Sequence, residues 1–257
     1  MSYEQIAHYY DLTHESLTAD IGYILKLAQM TGDPVLELGC GSGRLLLPLA
    51  RAGYSVVGVD SSPAMLARAQ ARLEREPEAL QARVRLVAGD MTTLALGDEV
   101  TCQLVLVPYN TLMHLDGQGV LGMLRGVRAV LGQNGRFFID LANPFTLAQT
   151  PNDHLLTLEA SFTDPDTGEL VLQFAANRLY ESAQQLHITW IYDATPPAGG
   201  QIRRTVTQMV YHYYYPHQLE LMLEETGYRL LAIYGDYTET PFTEESERLL
   251  ILAERRA

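Results

Sequence analysis

The ten residues VLELGCGSGR, at positions 35–44, constrain this chain more than any other segment. The short apolar run 35–38 predicts a strand buried on both faces, because a half-exposed strand would alternate polar and apolar residues. Gly39, Gly41 and Gly43 follow at once and open a helix through about residue 51. Without Cβ atoms the backbone there can turn tightly and come close to a ligand. A dinucleotide-binding turn needs a third glycine three positions after the second, and Arg44 stands there instead. Glu37, two residues before the first glycine, would oppose a pyrophosphate. The turn therefore predicts a cationic or zwitterionic ligand.

Around this unit the chain alternates. Ile21, Ile24, Leu25, Leu27 and Ala28 fall at helical spacing within 17–31, and Gly32, Asp33 and Pro34 stop that helix. Further strands are expected at 55–59, 84–88, 103–107 and 136–141, with helices at 63–75 and 119–131. Such alternation implies an α/β fold with a doubly wound parallel sheet, since crossovers between parallel strands place helices on the faces. Residues 150–215 break the rhythm with four β-branched and aromatic stretches, 154–162, 170–180, 185–192 and 203–215, separated by turn signals. They predict an inserted antiparallel β-meander, 152–215. Pro216 then starts a helix to about 226. Strands at 228–234 and 248–253 return to the sheet, giving seven strands in a single domain, 1–257.

Asp60 closes the second strand, where a carboxylate can accept hydrogen bonds from both hydroxyls of a ribose. Asp90 closes the third with Met91 beside it, which suits an exocyclic amine next to a flat apolar contact. Three carboxylates at the carboxyl ends of adjacent parallel strands line one crevice. Glu-x-Gly-x-Gly-x-Gly at the first strand, an acid closing the second and Gly-Asp-Met closing the third resemble the class I S-adenosylmethionine-dependent methyltransferases, over about residues 33–141. The resemblance implies a seven-stranded, mostly parallel Rossmann-like sheet and S-adenosylmethionine as cofactor. It places Glu37, Gly39, Cys40 and Gly41 at the methionyl part, Asp60 at the ribose, and Asp90 and Met91 at the adenine. Ser61, Met65 and Val107 are expected along the same cofactor.

Composition narrows the acceptor. The 31 acidic residues against 18 basic ones give a net charge of −13, which repels a phosphate backbone and excludes bulk nucleic acid as a partner. Cys40 and Cys102 form neither a disulfide framework nor a zinc-binding spacing, so no metal site is expected. No basic leader precedes an apolar stretch at residues 1–16, and no apolar run reaches about 18 residues. A cytoplasmic protein without membrane association is expected. The fourth strand exits as LVLVPYNTLMHL, which lacks the Asn/Asp-Pro-Pro-Tyr/Phe motif of adenine and glutamine methyltransferases. Asn143, Pro144 and Phe145 lack its second proline, and the Pro-Cys pair of cytosine C5-methyltransferases is absent. A small-molecule acceptor follows.

A looser likeness spans most of the chain. An early Tyr10-Asp11 pair, Asn-Thr-Leu-Met-His-Leu at 110–115, the four-stranded insertion and Pro-His-Gln-Leu at 216–219 resemble small-molecule N-methyltransferases that include the dTDP-amino-sugar N,N-dimethyltransferases. This implies that Tyr10 covers the cofactor and that the insertion covers the acceptor. Acceptor contacts are expected from Tyr109, Asn110, His114, Tyr213 and Tyr214, with His8, Tyr9 and Tyr10 closing the other side. Strand alternation puts Tyr211, Tyr213 and Tyr215 on one face and His212 and Tyr214 on the other, where they serve either as packing or as a pocket wall. His114 is the candidate catalytic group. It is equally a helix-start packing residue, an orienting polar group for an amine, or a base for a hydroxyl. Transfer to an amine nitrogen is expected first, with O-methylation and cofactor binding without turnover as the alternatives.

Overall fold

The computed structural model describes residues 3–14, 16–97, 100–151 and 155–256. The chain opens with α1 (Tyr3–His14) and α2 (Ile21–Thr31), then β1 (Val35–Leu38), α3 (Leu46–Arg51), β2 (Val56–Asp60) and α4 (Pro63–Leu73). A single turn, α5 (Glu78–Gln81), leads into β3 (Val84–Ala88) and β4 (Cys102–Val107). Next come α6 (Gly117–Val130), β5 (Leu131–Ala142) and the short α7 (Pro144–Leu147). The meander β6 (Leu156–Thr163), β7 (Leu170–Tyr180), β8 (Gln185–Thr195) and β9 (Arg203–His212) follows. The chain closes with α8 (Pro216–Glu225), β10 (Tyr228–Tyr234) and β11 (Arg248–Arg255).

Seven strands form one sheet in the order β10-β11-β5-β4-β1-β2-β3. The strands from β1 to β5 pair in parallel, whereas β11 runs antiparallel to both β5 and β10. The chain lays β2 and β3 to one side of β1 and then crosses to place β4 on the other. That reversal is a topological switch point, so a crevice opens at the carboxyl ends of β1 and β4.

A parallel sheet must be covered on both faces. Leu36, Leu38, Val105, Val107, Phe137 and Ile139 pack with α6 and α8, and the alternate residues Val35, Leu104, Leu106 and Phe138 pack with α2 and α3. The sequence of α6 shows why it lies there. Val120, Met123, Leu124, Val127 and Val130, all buried, recur every three or four residues and so form one apolar stripe. Its start is fixed by Asp116, whose Oδ1 accepts from the Gly119 N–H at 2.8 Å.

The meander forms a separate antiparallel sheet in the order β6-β7-β8-β9. Its inner face joins the main core through Ala175, Leu179, Leu186 and Ile188, and meets α1 through Val171, Tyr192 and Met209. Among the described residues no helix is long and apolar enough to cross a membrane.

The structure moves several boundaries. The helix expected to open at the glycine turn begins only at Leu46, because Gly41 and Gly43 take φ of +53° and +85°, which no α-helical residue adopts. β5 starts directly at the end of α6 rather than at 136. The strand expected to reach 215 stops at His212, since Pro216 begins α8 and holds Tyr215 extended as its cap. The first two residues of the expected insertion, 152 and 153, and the expected strand start at 154 lie outside the described residues.

Replacing Leu124, which is 1% exposed within the α6 stripe, by Ala is expected to cost about 2–5 kcal/mol in urea denaturation. Met30→Ala, on a side chain 69% exposed, should change stability by no more than about 0.5 kcal/mol.

Candidate active site

The turn after β1 is shaped by what it cannot accommodate. Gly39 has φ +69°, and a Cβ on it would run into Cγ2 of Thr111, so only glycine lets β1 and the exit of β4 approach this closely. Two residues on, the Gly41 N–H donates to Oδ2 of Asp60 at 2.8 Å, while Oδ1 of Asp60 accepts from the Ser62 N–H at 2.8 Å. The carboxylate thus ties the end of β2 to the turn. Burial raises the Asp60 carboxyl above its usual range, opposed by these backbone donors.

Glu37 lies beneath the turn and is 3% exposed. Its Oε2 has no hydrogen-bond partner, and desolvation pushes its carboxyl up to about 8, with Arg44 opposing the shift and Asp20 and Asp60 adding to it. Arg44 cannot satisfy it, because its guanidinium is committed elsewhere. It donates to Oδ1 and Oδ2 of Asp20 at 2.7 and 2.6 Å and to the Leu17 carbonyl at 2.8 Å. A buried carboxylate oxygen without a counter-charge is a place for a cationic guest.

The crevice above Glu37 is a partly enclosed cleft that opens to solvent. Tyr10, Asp11 and His14 of α1 roof it, the turn from Gly39 to Arg44 floors it, and Pro108, Tyr109 and Thr111 wall it. α1 is held down at several points. Glu4 accepts from the Ser62 hydroxyl at 2.7 Å, Asp11 pairs with Arg68 and, at 3.3 Å, with Arg72. On its other side His8 meets Asp164 at 2.8 Å, and Tyr9 stacks on Tyr192 and accepts from Arg203 at 2.8 Å. The helix therefore bridges the main sheet and the meander across the crevice.

Beside Tyr10 lies an aromatic cluster drawn from three distant segments. Oη of Tyr3 is 3.0 Å from Nε2 of His114, and the His114 ring is 5.0 Å from that of Tyr211. Tyr10 stacks on His14 at 3.8 Å. Burial raises the phenols of Tyr3, Tyr10 and Tyr211 above their ordinary range. His114 keeps an accessible face, yet desolvation by the groups around it, helped by His212, pushes its imidazole down to about 4.

Of the residues singled out from the sequence, Tyr10, Glu37, Gly39, Cys40, Gly41 and Tyr109 line the crevice. Asp60 is joined to it through Gly41, and Met65 is buried at the start of α4 behind the Ser62 cap. Ser61 is exposed. Asp90 is exposed at the end of β3, its Oδ1 accepting from the backbone and hydroxyl of Thr92 at 2.8 and 2.7 Å, with Met91 half-buried beside it. Val107 is sealed in the core, and its neighbour Pro108 reaches the crevice instead.

Three expected acceptor contacts are engaged elsewhere. Oδ1 of Asn110 accepts from the Ala142 N–H at 2.6 Å and from Arg248 at 3.1 Å, clamping β4 to β5 and β11. Tyr214 is buried and donates to the Leu115 carbonyl at 2.6 Å, and Tyr213 is buried in the main core with its ring edge-on to Tyr215. Tyr211 stands at the cluster in their place, because the strand ends just beyond it. Tyr3 carried no sequence signal, whereas the alternation of the tyrosine-rich strand already marked Tyr211.

The comparisons with known proteins agree with this geometry. Residues 35–135 match the family model described as a methyltransferase domain. The cypemycin N-terminal methyltransferase of a Streptomyces species is 25% identical over 252 residues, covering 96% of this chain and 94% of the relative. The solved structure of the CcbJ methyltransferase from Streptomyces caelestis, 25% identical, covers 99% of this chain and 97% of its own with a TM-score of 0.81. The chain is a class I S-adenosylmethionine-dependent methyltransferase. The S-adenosylmethionine-bound amino pentose methyltransferase of Micromonospora echinaspora, involved in calicheamicin biosynthesis, shares the fold at 20% identity and a TM-score of 0.70, with 96% of each chain covered.

In this methyltransferase Glu37 titrates at about 8 when folded, against an ordinary carboxyl value of 4.5. Between those values the folded chain holds a proton that the unfolded chain has released, so stability falls as pH rises through that window. Glu37→Gln is expected to raise the melting temperature of the ligand-free methyltransferase, by little at pH 5 and by most near pH 8 and above. Equal melting temperatures at pH 8 would contradict the assigned environment.

Proposed function

We propose that this methyltransferase transfers the methyl group of S-adenosylmethionine to the nitrogen of a small-molecule amine. The observation that carries the reading is the state of His114. It stands in the aromatic cluster with Tyr3 as its hydrogen-bond partner, no carboxylate bonds to it among the described residues, and its imidazole is pushed down to about 4. A base that weak is poorly matched to a hydroxyl proton, whereas an amine that arrives neutral needs no base to attack. The proton carried by the methylated product can leave through water. The N-terminal acceptor named for the cypemycin enzyme supports the same reading.

The residues at the crevice fit the cofactor by chemistry. The unpartnered Oε2 of Glu37 suits the methionyl ammonium, and Gly39 to Gly41 let the backbone approach it. Asp60 would offer its remaining lone pairs to the ribose hydroxyls, and Asp90 with Met91, at the end of β3, would border the adenine. When bound, the cofactor supplies an electrophilic methyl on a sulfonium. Tyr10, His14 and Tyr109 then exclude water around that positive charge and present aromatic surface to it. His114 and Tyr3 orient the acceptor by hydrogen bonding, and Tyr211 on β9 walls it. Residues 152–215 act as the acceptor lid, with α1 joining it to the main sheet; the contact of His8 with Asp164 at 2.8 Å supports this.

The test is turnover with labelled cofactor against paired amines and alcohols of one carbon skeleton. Methylated amine is the expected product, and His114→Asn is expected to slow turnover by about tenfold or less, the cost of one orienting hydrogen bond. The rates of both proteins should rise with pH as the acceptor amine deprotonates. A loss of about a thousandfold or more in a variant that still binds cofactor would mark His114 as a general base and favour O-methylation.

A further inference from the structure

Backbone strain is concentrated at the exit of β4. The Thr111 N–H donates to the Pro108 carbonyl at 3.1 Å, closing a turn whose central residues, Tyr109 and Asn110, take φ of +43° and +67°. A turn with positive φ at both central positions ordinarily carries glycine, asparagine or aspartate. Asn110 fits that rule. Tyr109 breaks it, since a bulky side chain at positive φ is an outlier. Such strain persists only where the surroundings over-determine it, and it collects at functional sites.

Here the surroundings converge on one fully buried carboxylate. Asp140, on β5, grips the turn twice: its carbonyl accepts from the Asn110 N–H at 2.9 Å, and its Oδ2 accepts from the Tyr109 N–H at 3.2 Å. Arg248, on β11, donates to Oδ1 of Asp140 at 2.8 and 2.6 Å and to Oδ1 of Asn110 at 3.1 Å. The Tyr237 hydroxyl donates to Oδ2 of Asp140 at 2.8 Å. The guanidinium of Arg248 also lies over the Tyr109 ring, with Cζ 5.1 Å from its centroid, and Arg44, fixed by Asp20, lies over it at 5.6 Å. One ion pair thus holds both the backbone and the ring of a single tyrosine. An apolar pair of similar volume often stabilises a core as well as a buried ion pair does, so stability alone does not account for this one.

The place of Tyr109 shows what is being held. It walls the crevice that contains Glu37 and Gly39, and Thr111 of the same turn fills the space a Gly39 side chain would need. Tyr109 is also near enough to act electrostatically on the phenols of Tyr10, in the roof, and of Tyr211, in the cluster around His114. It therefore stands where the crevice and the aromatic cluster meet. We propose that Asp140 and Arg248 are positioning residues of the methyltransferase site, which hold Tyr109 in one orientation between cofactor and acceptor. The proposal rests on the assignment of the crevice to S-adenosylmethionine, and it holds for nitrogen or oxygen as the acceptor atom.

Fluorine NMR of the full chain carrying 3-fluorotyrosine at position 109, together with calorimetric titration of S-adenosylhomocysteine, tests it. The fluorine distinguishes the two flipped orientations of the ring, so the ligand-free wild type should give one narrow resonance. Arg248→Lys keeps the charge but loses the planar fork, and should give two resonances or one broadened by exchange. It should also bind S-adenosylhomocysteine at least about tenfold more weakly, the scale of one lost positioned contact. Asp140→Asn should reproduce both changes, and Arg248→Lys decides the matter if that variant does not fold. Leu124→Ala, destabilised within α6 and outside this network, controls for a purely structural role: it should keep the single resonance and bind within about twofold of wild type. A single narrow resonance or an unchanged affinity in Arg248→Lys overturns the proposal, as does a Leu124→Ala variant that reproduces its effects. A wild type that fails to bind S-adenosylhomocysteine overturns the crevice assignment, and this proposal with it.

Discussion

A carboxylate buried beneath a glycine turn without a partner is the constraint around which this molecule is arranged. Glu37 sits near the end of β1, where desolvation penalises its charge, and the opposing cation, Arg44, is held by Asp20. An isolated buried charge of this kind destabilises a fold, and a core residue of similar size would pack there at no such cost. In the proposed function a positively charged guest satisfies this acid, and pyrophosphate ligands are repelled from the same place.

The surrounding geometry follows from that choice. Gly39 has to be a glycine because Thr111, at the exit of β4, occupies the space a side chain would need. Asp60 holds the turn through the Gly41 N–H and so ties the end of β2 to the floor of the crevice. The roof is built from a different principle. α1 packs on the meander through the buried Ile6 and Tyr9 and is tied to the main sheet by polar contacts, Glu4 to Ser62 and Asp11 to Arg68 and Arg72.

The fold around the proposed cofactor site was legible in the sequence because its determinants are local. A strand, a glycine turn and an acid at the next strand end are each encoded within a few residues, and the topology that joins them is forced by parallel pairing. The acceptor half was legible only in part. Tyr3 and Tyr211 meet at His114 from opposite ends of the chain, and that meeting depends on how α1 docks between the two sheets. Tyr213 looks equivalent to Tyr211 by alternation and Tyr214 takes the opposite face, but the strand ends at His212 and both tyrosines are buried in the core. Asn110 shows the same limit. A polar residue at a strand exit resembles a substrate contact, while the structure uses its amide to clamp three strands.

The central claim is that the unpartnered oxygen of Glu37 recognises the cationic end of the cofactor. Calorimetric titration with S-adenosylhomocysteine and with its analogue lacking the α-amino group measures this directly. The account predicts that the parent compound binds at least about a hundredfold more tightly, which corresponds to about 2.7 kcal/mol for one charge-assisted contact. It also predicts that, at pH 7, only the parent releases a proton on binding, as Glu37 ionises from its raised value of about 8. Equal affinities and equal proton release for the two compounds would contradict it.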